Sequence, residues 1–350
     1  MGLIRSPGDS SPSTMWLLST DRAELKFFTS PEDVPGGYAI LSHVWGEHED
    51  TFQDVRSLSD RCTKTGGNPR DLVGIKIRES CRLAQRHGWA WIWSDTCCID
   101  KSSSAELSEA INSMFRYYSL SAVCYAFLGD VPPRSSLQLD DDKSHFRHSR
   151  WHKRGWTLQE LVAPKLVIFV SSEWTILGHK AALAELLESI TRVPVGILRF
   201  EKDITDVSLA GRMSWASDRQ TTRAEDEAYS LMGIFGINMP TLYGEGRKAF
   251  YRLQEEIMRT SVDTSLFVWG RSQAVGALSS DVLRAESPIQ HGHFSDVVHL
   301  LAPSPSLFIT GDVVEFNVWL SYIFNQPLLT VVYSGCRRGR SHGRVAAAEG

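Results

Sequence analysis

The sequence predicts an α/β protein: a parallel sheet layered with helices, then a mainly helical region, then a short β-rich C-terminal part. Three observations carry this expectation. Strand-like and helix-like patterns alternate from Tyr38 to Val170, the order that builds a parallel sheet with right-handed helical crossovers. Within that stretch Trp89, Trp91 and Trp93 alternate with Ala90, Ile92 and Ser94. This is the period-2 pattern of a strand with large rings on one face, and a strand flanked on both faces is expected to be central. Beyond Trp174 the periodicity becomes helical, and from Ser265 onward short alternating runs return.

At 42% hydrophobic and 22% charged, with 11 Trp, the chain has the composition of a soluble globular protein with a sizeable core. A formal net charge of -4 offers no chain-wide attraction for nucleic acid. The six cysteines (62, 81, 97, 98, 124 and 336) include no Cys-x-x-Cys pair. With no signal peptide recognised ahead of them, they predict reduced thiols in a cytoplasmic protein and no metal site. No apolar run approaches the roughly 18 residues of a membrane span.

In chain order, residues 1–22 are expected to be a mobile N-terminal segment, rich at first in Ser, Pro and Gly. Met1-Gly-Leu-Ile-Arg-Ser6 fits the N-myristoylation pattern, although one acyl chain anchors only weakly. The first strand is Tyr38 to Trp45, closed by Gly46. From Leu72 to His87 the residues Val73, Ile77, Cys81 and Ala84 share one helical face, and Gly88 stands where a C-cap would. After the tryptophan strand, Ser103-Ser-Ala-Glu106 has the form of a capping box opening a helix with Leu107, Ile111, Met114 and Tyr118 on one face. Ala122 to Leu128 reads as the third strand, followed by an acidic, polar loop to about Ser149. Arg150 to Ala163 reads as a helix stopped by Pro164, and Lys165 to Val170 as the fourth strand.

Further helices are expected over Ala181 to Ile190, over Leu209 to Ala216, after a second capping box at Thr222-Arg-Ala-Glu225, and around Phe250, Leu253, Ile257 and Met258. Val313 to Trp319 and Leu328 to Tyr333 read as strands, and Arg337 to Gly350 has no packing pattern. The implied division is 1–22, 23–178, 179–270 and 271–350.

In open α/β sheets, ligands bind beyond the carboxyl ends of the strands. That rule brings Ser42, His43, Asp95 and Asp130 towards one rim, with Cys98 nearby. The alternative is that Asp95 caps a turn and the thiols pack as small hydrophobes. Cys98 has no local partner to lower its pKa. The chain has no P-loop, Gly-x-Ser-x-Gly elbow or His-Glu-x-x-His pair, and Gly244-Glu-Gly246 reads as a turn. In Arg154-Gly-Trp-Thr-Leu-Gln-Glu160, Trp156 and Glu160 are one helical turn apart. A carboxyl beside such an aromatic wall has a raised pKa, and the ring offers a stacking surface. The alternative is a salt bridge from Glu160 to Arg154 or Arg150 at a domain seam.

Three blocks together resemble the heterokaryon incompatibility (HET) domain of filamentous fungi. They are Tyr38-Ala-Ile-Leu-Ser-His-Val-Trp-Gly46; Lys76 through Cys81, Ala84 and Gly88 to Trp93-Ser-Asp-Thr-Cys-Cys-Ile-Asp-Lys101; and Arg154 to Glu160. His43 stands where a tyrosine is usual, and Ser94 where an aliphatic residue is usual. The resemblance continues through Arg212-Met-Ser-Trp-Ala216, Thr221 to Asp226, Gly233-Ile-Phe and Met239 to Gly246, a segment that often follows the domain.

The resemblance implies a role in allorecognition, or vegetative incompatibility, with growth arrest and programmed cell death when unlike hyphae fuse. Action through self-association or other incompatibility-pathway proteins is implied, with no required cofactor. Many relatives carry a nucleotide-binding and repeat region after the domain; neither a P-loop nor a repeat is evident here. The HET domain is itself similar to the flavodoxin-like Toll/interleukin-1 receptor (TIR) fold. Some TIR members cleave NAD with the carboxylate of a Trp-x-x-x-Glu helix, and others only assemble. The resemblance thus makes Glu160 the candidate catalytic residue of an NAD(P) glycohydrolase. Ser42, His43, Trp45, Asp95, Cys98 and Trp156 are the candidate lining of its ligand pocket.

Overall fold

The computed structural model describes residues 14–133, 141–267, 301–308, 316–323 and 326–333. Its sheet opens with a hairpin: Met15–Ser19 (β1) pairs antiparallel with Leu25–Phe28 (β2). The turn between them lacks an Asn-Gly or Asp-Gly signal, and the buried Ala23 takes a φ of 55°, a conformation that favours glycine. The sheet therefore begins ahead of the expected first strand, and the hairpin crosses the boundary expected at residues 22 and 23.

The order continues through Ala39–His43 (β3), Phe52–Thr65 (α1), Ile75–Arg86 (α2), Trp91–Trp93 (β4), Ser104–Leu120 (α3), Val123–Phe127 (β5), His145–His148 (α4), Thr157–Val162 (α5), Val167–Val170 (β6) and Ile176–His179 (β7). The strands lie in the order β2-β1-β4-β3-β5-β6-β7. Strands β4, β3, β5 and β6 are parallel, whereas β1 and β7 run antiparallel to β4 and β6. Counted along the chain, the parallel strands stand in the order 2-1-3-4, which is the flavodoxin-like order. The expected α/β core is present, extended by an antiparallel element on each side. The tryptophan strand is interior, but one neighbour is antiparallel, and β3, with all its residues buried, holds the middle.

Local chemistry explains where the elements depart from expectation. Helix α1 gives little apolar signal because it buries only Phe52, Val55 and Cys62, yet a Thr51/Asp54 capping box opens it and Gly66 at φ 77° closes it. Helix α2 stops as expected, with Gly88 at φ 85°. At α3, Ser103 accepts from the Glu106 amide, but Glu106 accepts from the Asp100 amide, so half of the expected capping box forms.

The helix expected from Arg150 to Ala163 is broken into a 3-10 turn, Arg150–Lys153, and α5. Between them the Gly155 amide donates to the Gln220 carbonyl at 2.8 Å, and the Gln220 amide to the Lys153 carbonyl at 2.7 Å. A Cβ on Gly155 would sit 2.5 Å from Thr221 Cγ2, so this close approach requires glycine.

The helical region comprises Ala184–Thr191 (α6), Val195–Leu198 (α7), Leu209–Ser214 (α8), Asp226–Tyr229 (α9), Met232–Phe235 (α10) and Lys248–Thr260 (α11). The second capping box does not form. Glu225 instead accepts from the Gly244 and Gly246 amides at 2.8 and 3.0 Å. Both glycines have positive φ, 106° and 61°, so Gly244-Glu-Gly246 is a turn clamped by a carboxylate. One cluster of buried side chains runs through the sheet and this region. Phe316–Ile323 (β8) and Gln326–Tyr333 (β9) pair antiparallel, overlapping the expected strands. The acylation pattern at Gly2, residues 134–140, Cys336 and the Arg337–Gly350 tail lie outside the described residues. Among the described residues, no helix is long and apolar enough to cross a membrane.

Lys180 is 1% exposed, and its ammonium donates to the carbonyls of Leu161, at 3.0 Å, and Pro164, at the C-terminal end of α5. Burial pushes its pKa down to about 7, against about 10.4 when unfolded. For a base depressed by folding, the stability contribution is complete above the unfolded value and is lost as pH falls to about 7. Compared with Lys180→Met in urea unfolding, the wild type is therefore expected to gain stability from about pH 7 to about pH 9.5, by about 1.4 kcal/mol for each step of one in pH. The same pH dependence in both proteins would overturn this account.

Candidate functional site

Parallel β3 and β4 run the same way, so the residues that follow them, His43 to Trp45 and Asp95, emerge at one end of the sheet. Here, beside the switch in strand order between β3 and β5, a cavity of about 340 Å³ is lined by His43, Trp45, Asp95 and Lys101 from the strand ends. Ile111 and Met114 of α3 form an apolar wall, and Arg154, Trp156 and Glu160 come from the segment around α5. The far side is Thr222, Arg223, Asp226 and Tyr243. The cavity is thus a seam between the sheet domain and the helical extension, within the size range of small-molecule sites.

Glu160 is 5% exposed. Ser42 donates its hydroxyl proton to Glu160 Oε2 and accepts from Trp151 Nε1 at 2.7 Å, so a buried relay fixes the carboxyl. Burial, then the negative charge of Asp95, push the Glu160 pKa up to about 8; Ser42, Tyr118 and Arg154 oppose this in part. The salt bridge considered for Glu160 does not form: Arg150 faces Asp130 at 3.6 Å, and Arg154 Nη1 donates to Thr222 Oγ1 at 2.6 Å. Trp156, at the N-terminal end of α5, places its ring on the cavity wall.

At the strand ends, Trp45 Nε1 donates to Asp95 Oδ2 at 2.8 Å, and the Lys101 ammonium lies 3.9 Å from the Trp45 ring centroid. The loop carrying Trp45 is pinned by Glu49, which accepts from the Gly46 amide at 2.6 Å and from Lys76. The His43 side chain is buried, with Nε2 3.6 Å from Asp95 Oδ1, and neither ring nitrogen has a hydrogen-bond partner among the described residues. Burial lowers its pKa, against the pull of Asp95 and Glu49, so the imidazole is neutral. An unpaired buried polar group costs about 1–3 kcal/mol, and this one borders the cavity.

Two expected lining residues stand elsewhere. Ser42 is fully buried behind Glu160 and positions it without reaching the cavity. Cys98 turns back into the core because the chain from Ser94 winds into a tight turn. The Cys98 amide donates to the Ser94 carbonyl at 2.8 Å, and Cys98 Sγ accepts from the Ser94 amide at 3.4 Å. Its thiol faces a small void beside Trp93 and Tyr117, as the core-packing alternative held. Asp130 accepts from Ser149 Oγ and the Arg150 amide at 2.7 and 2.8 Å, capping the 3-10 turn outside the cavity. The sequence reading missed Lys101, Arg154 and the extension residues as lining groups. No local pattern ties Thr222 or Tyr243 to His43, although the motif-like runs at Thr221 to Asp226 and Met239 to Gly246 marked the right segments.

The model of the heterokaryon incompatibility protein (HET) family matches residues 38–143, and that of a domain of unknown function (DUF8212) matches residues 248–325. The chain thus carries a HET-domain segment at residues 38–143. A curated relative is the vegetative incompatibility protein HET-E-1 of Podospora anserina, 44% identical over 236 residues; the match covers 65% of this chain and 17% of that protein. The chain thus spans under a fifth of that relative's length. No solved structure matches it. The matched HET segment contains His43, Trp45, Asp95 and Lys101, whereas Trp156 and Glu160 follow its end.

Proposed function

We propose that this chain acts in heterokaryon incompatibility, as a cytoplasmic signalling module that assembles with itself or with other proteins of the pathway and drives growth arrest and cell death. The observation that carries this reading is the 44% identity to a vegetative incompatibility protein over 236 residues, a match longer than the HET segment itself. Expression in a fungal host, fused to a module dimerised by an added small molecule, tests it. Colony counts are expected to fall when the dimeriser is added. Full viability with abundant, soluble, dimerised protein would count against the reading.

The cavity favours a second reading, hydrolysis of NAD or NADP at the nicotinamide glycosidic bond. In that reaction the bond between C1′ of the ribose and the pyridinium nitrogen breaks, and its electron pair leaves with neutral nicotinamide. Water then adds to C1′ and loses a proton to solvent. Positive charge builds on the ribose as the bond opens, and a fixed carboxylate stabilises it. Glu160 has the position for this role. Its raised pKa suits a cationic substrate, because a pyridinium beside the carboxyl favours the ionised form. Trp156 provides a wall for ring stacking, Asp95 an acceptor for ribose hydroxyls, and Ser42 holds Glu160 in place. The orphaned imidazole of His43 would gain a partner from a ligand hydroxyl. Nicotinamide release by concentrated protein is the readout.

A further inference from the structure

We propose that Arg154, Thr222 and Arg223 form an anion-binding end of the cavity that takes the phosphate groups of a nucleotide. The inference rests on the reading of the cavity as a ligand site, but not on hydrolysis there. Both guanidinium groups border the cavity, and among the described residues neither has a carboxylate within ion-pair distance. Several other arginines of the extension do: Arg192 with Asp218, Arg199 with Glu185 and Arg252 with Glu245, at 2.8, 2.6 and 2.7 Å.

The acidic residues closest in sequence are engaged by other donors. Glu225 holds the Gly244 and Gly246 amides, and Asp226 Oδ1 accepts from the Tyr243 hydroxyl at 3.0 Å. Two cations with no ion pair among the described residues therefore border the cavity, with the Asp226 carboxylate, whose charged form both favour, beside them. Their geometry is also set in advance. The Arg223 guanidinium lies 4.4 Å from the Tyr243 ring centroid, a contact that holds it beside the cavity, and a planar fork matches phosphate oxygens in pairs. Arg154 Nη1 donates to Thr222 Oγ1, so the hydroxyl proton of Thr222 remains for another acceptor.

Asp95, Glu160 and the rings of Trp156 and Tyr243 also line the cavity. A ligand matching this lining has phosphate for the arginines, a hydroxylated or cationic ring for the carboxylates, and aromatic surface for Trp156 and Tyr243. A nucleotide is that class of molecule.

The test is calorimetric binding of ADP, adenosine and inorganic pyrophosphate to the whole chain, at low and high salt. ADP is expected to bind about tenfold or more tightly than adenosine, with the advantage shrinking in salt. Arg223→Gln and Arg154→Gln are each expected to weaken ADP about tenfold or more, leaving adenosine unchanged. Arg223 is exposed and outside regular structure, so its variant keeps the test decisive if Arg154→Gln fails to fold. Equal binding of ADP and adenosine, no binding of either, or variants with wild-type affinity would overturn the proposal. Pyrophosphate binding as tightly as ADP would overturn its nucleotide part and leave a site for free anions. The ADP-against-adenosine difference reads the anion end and nicotinamide release reads hydrolysis, so a failure of the hydrolytic reading and a failure of the anion end are distinguishable.

Discussion

Glu160→Gln is expected to lower nicotinamide release from NAD by on the order of 100-fold or more while leaving the protein folded. The substitution keeps the side chain's size and an oxygen that accepts from Ser42, so the Trp151, Ser42 and residue-160 relay can persist without the charge. The wild type supplies a second signature. With the Glu160 pKa pushed up to about 8, kcat/KM of the free enzyme is expected to rise about tenfold per pH unit up to about pH 8 and then level.

Stability should move the opposite way. For an acid whose folded pKa is raised, the contribution is fully present below the unfolded value, about 4.3, and is lost as pH rises through about 8. Wild type is therefore expected to lose stability relative to Glu160→Gln between about pH 5 and pH 9. Wild-type inactivity in the assembled state, or a variant as active as wild type, would remove the catalytic role. A variant that unfolds would assign Glu160 to the core.

Gly233→Ala is expected to cost about 3 kcal/mol or more, the upper end for overpacking. A Cβ at position 233 would lie 2.1 Å from Phe115 Cβ and 2.6 Å from Phe115 Cγ. Phe115 Cβ is bonded directly to the α3 backbone, so no rotamer change relieves the clash, and α10 has to move away from α3. That movement strains the two-way bond of the Asn112 amide, which donates to the Met239 carbonyl at 3.2 Å and accepts from the Met239 amide at 3.1 Å. Because the same extension supplies Arg223, Asp226 and Tyr243 to the cavity, ligand binding should fall with Tm. Thermal unfolding and limited proteolysis of the extension measure both effects. Gly46→Ala, whose Cβ would meet nothing closer than 3.5 Å, is the control. A Gly233→Ala protein within about 0.5 kcal/mol of wild type would show that the seam is looser than the contact implies.

The sequence by itself determined the strands β3 to β6 and the helix α3, because burial of one face leaves a period of 2 or about 3.6 in consecutive residues. It also marked the segments of the HET domain and singled out Trp156 and Glu160, which both line the cavity. Other features depended on partners far along the chain. The β1 hairpin exists as part of the sheet through pairing with Trp91 and Ile92, and its turn rests on a strained Ala23 that no turn code announces. The break between Lys153 and Trp156 follows from Gln220 bonding to both sides of it. Neighbouring positions were also sorted in ways that residue type does not state. Ser42 turned inward to hold Glu160 while His43 borders the cavity, since adjacent residues of a strand face opposite sides; Cys98 was wound back into the core by the turn from Ser94. The cavity itself was decided last and only in three dimensions. One wall comes from strand ends and the other from Thr222 to Tyr243, and packing between distant segments leaves no periodic trace in either.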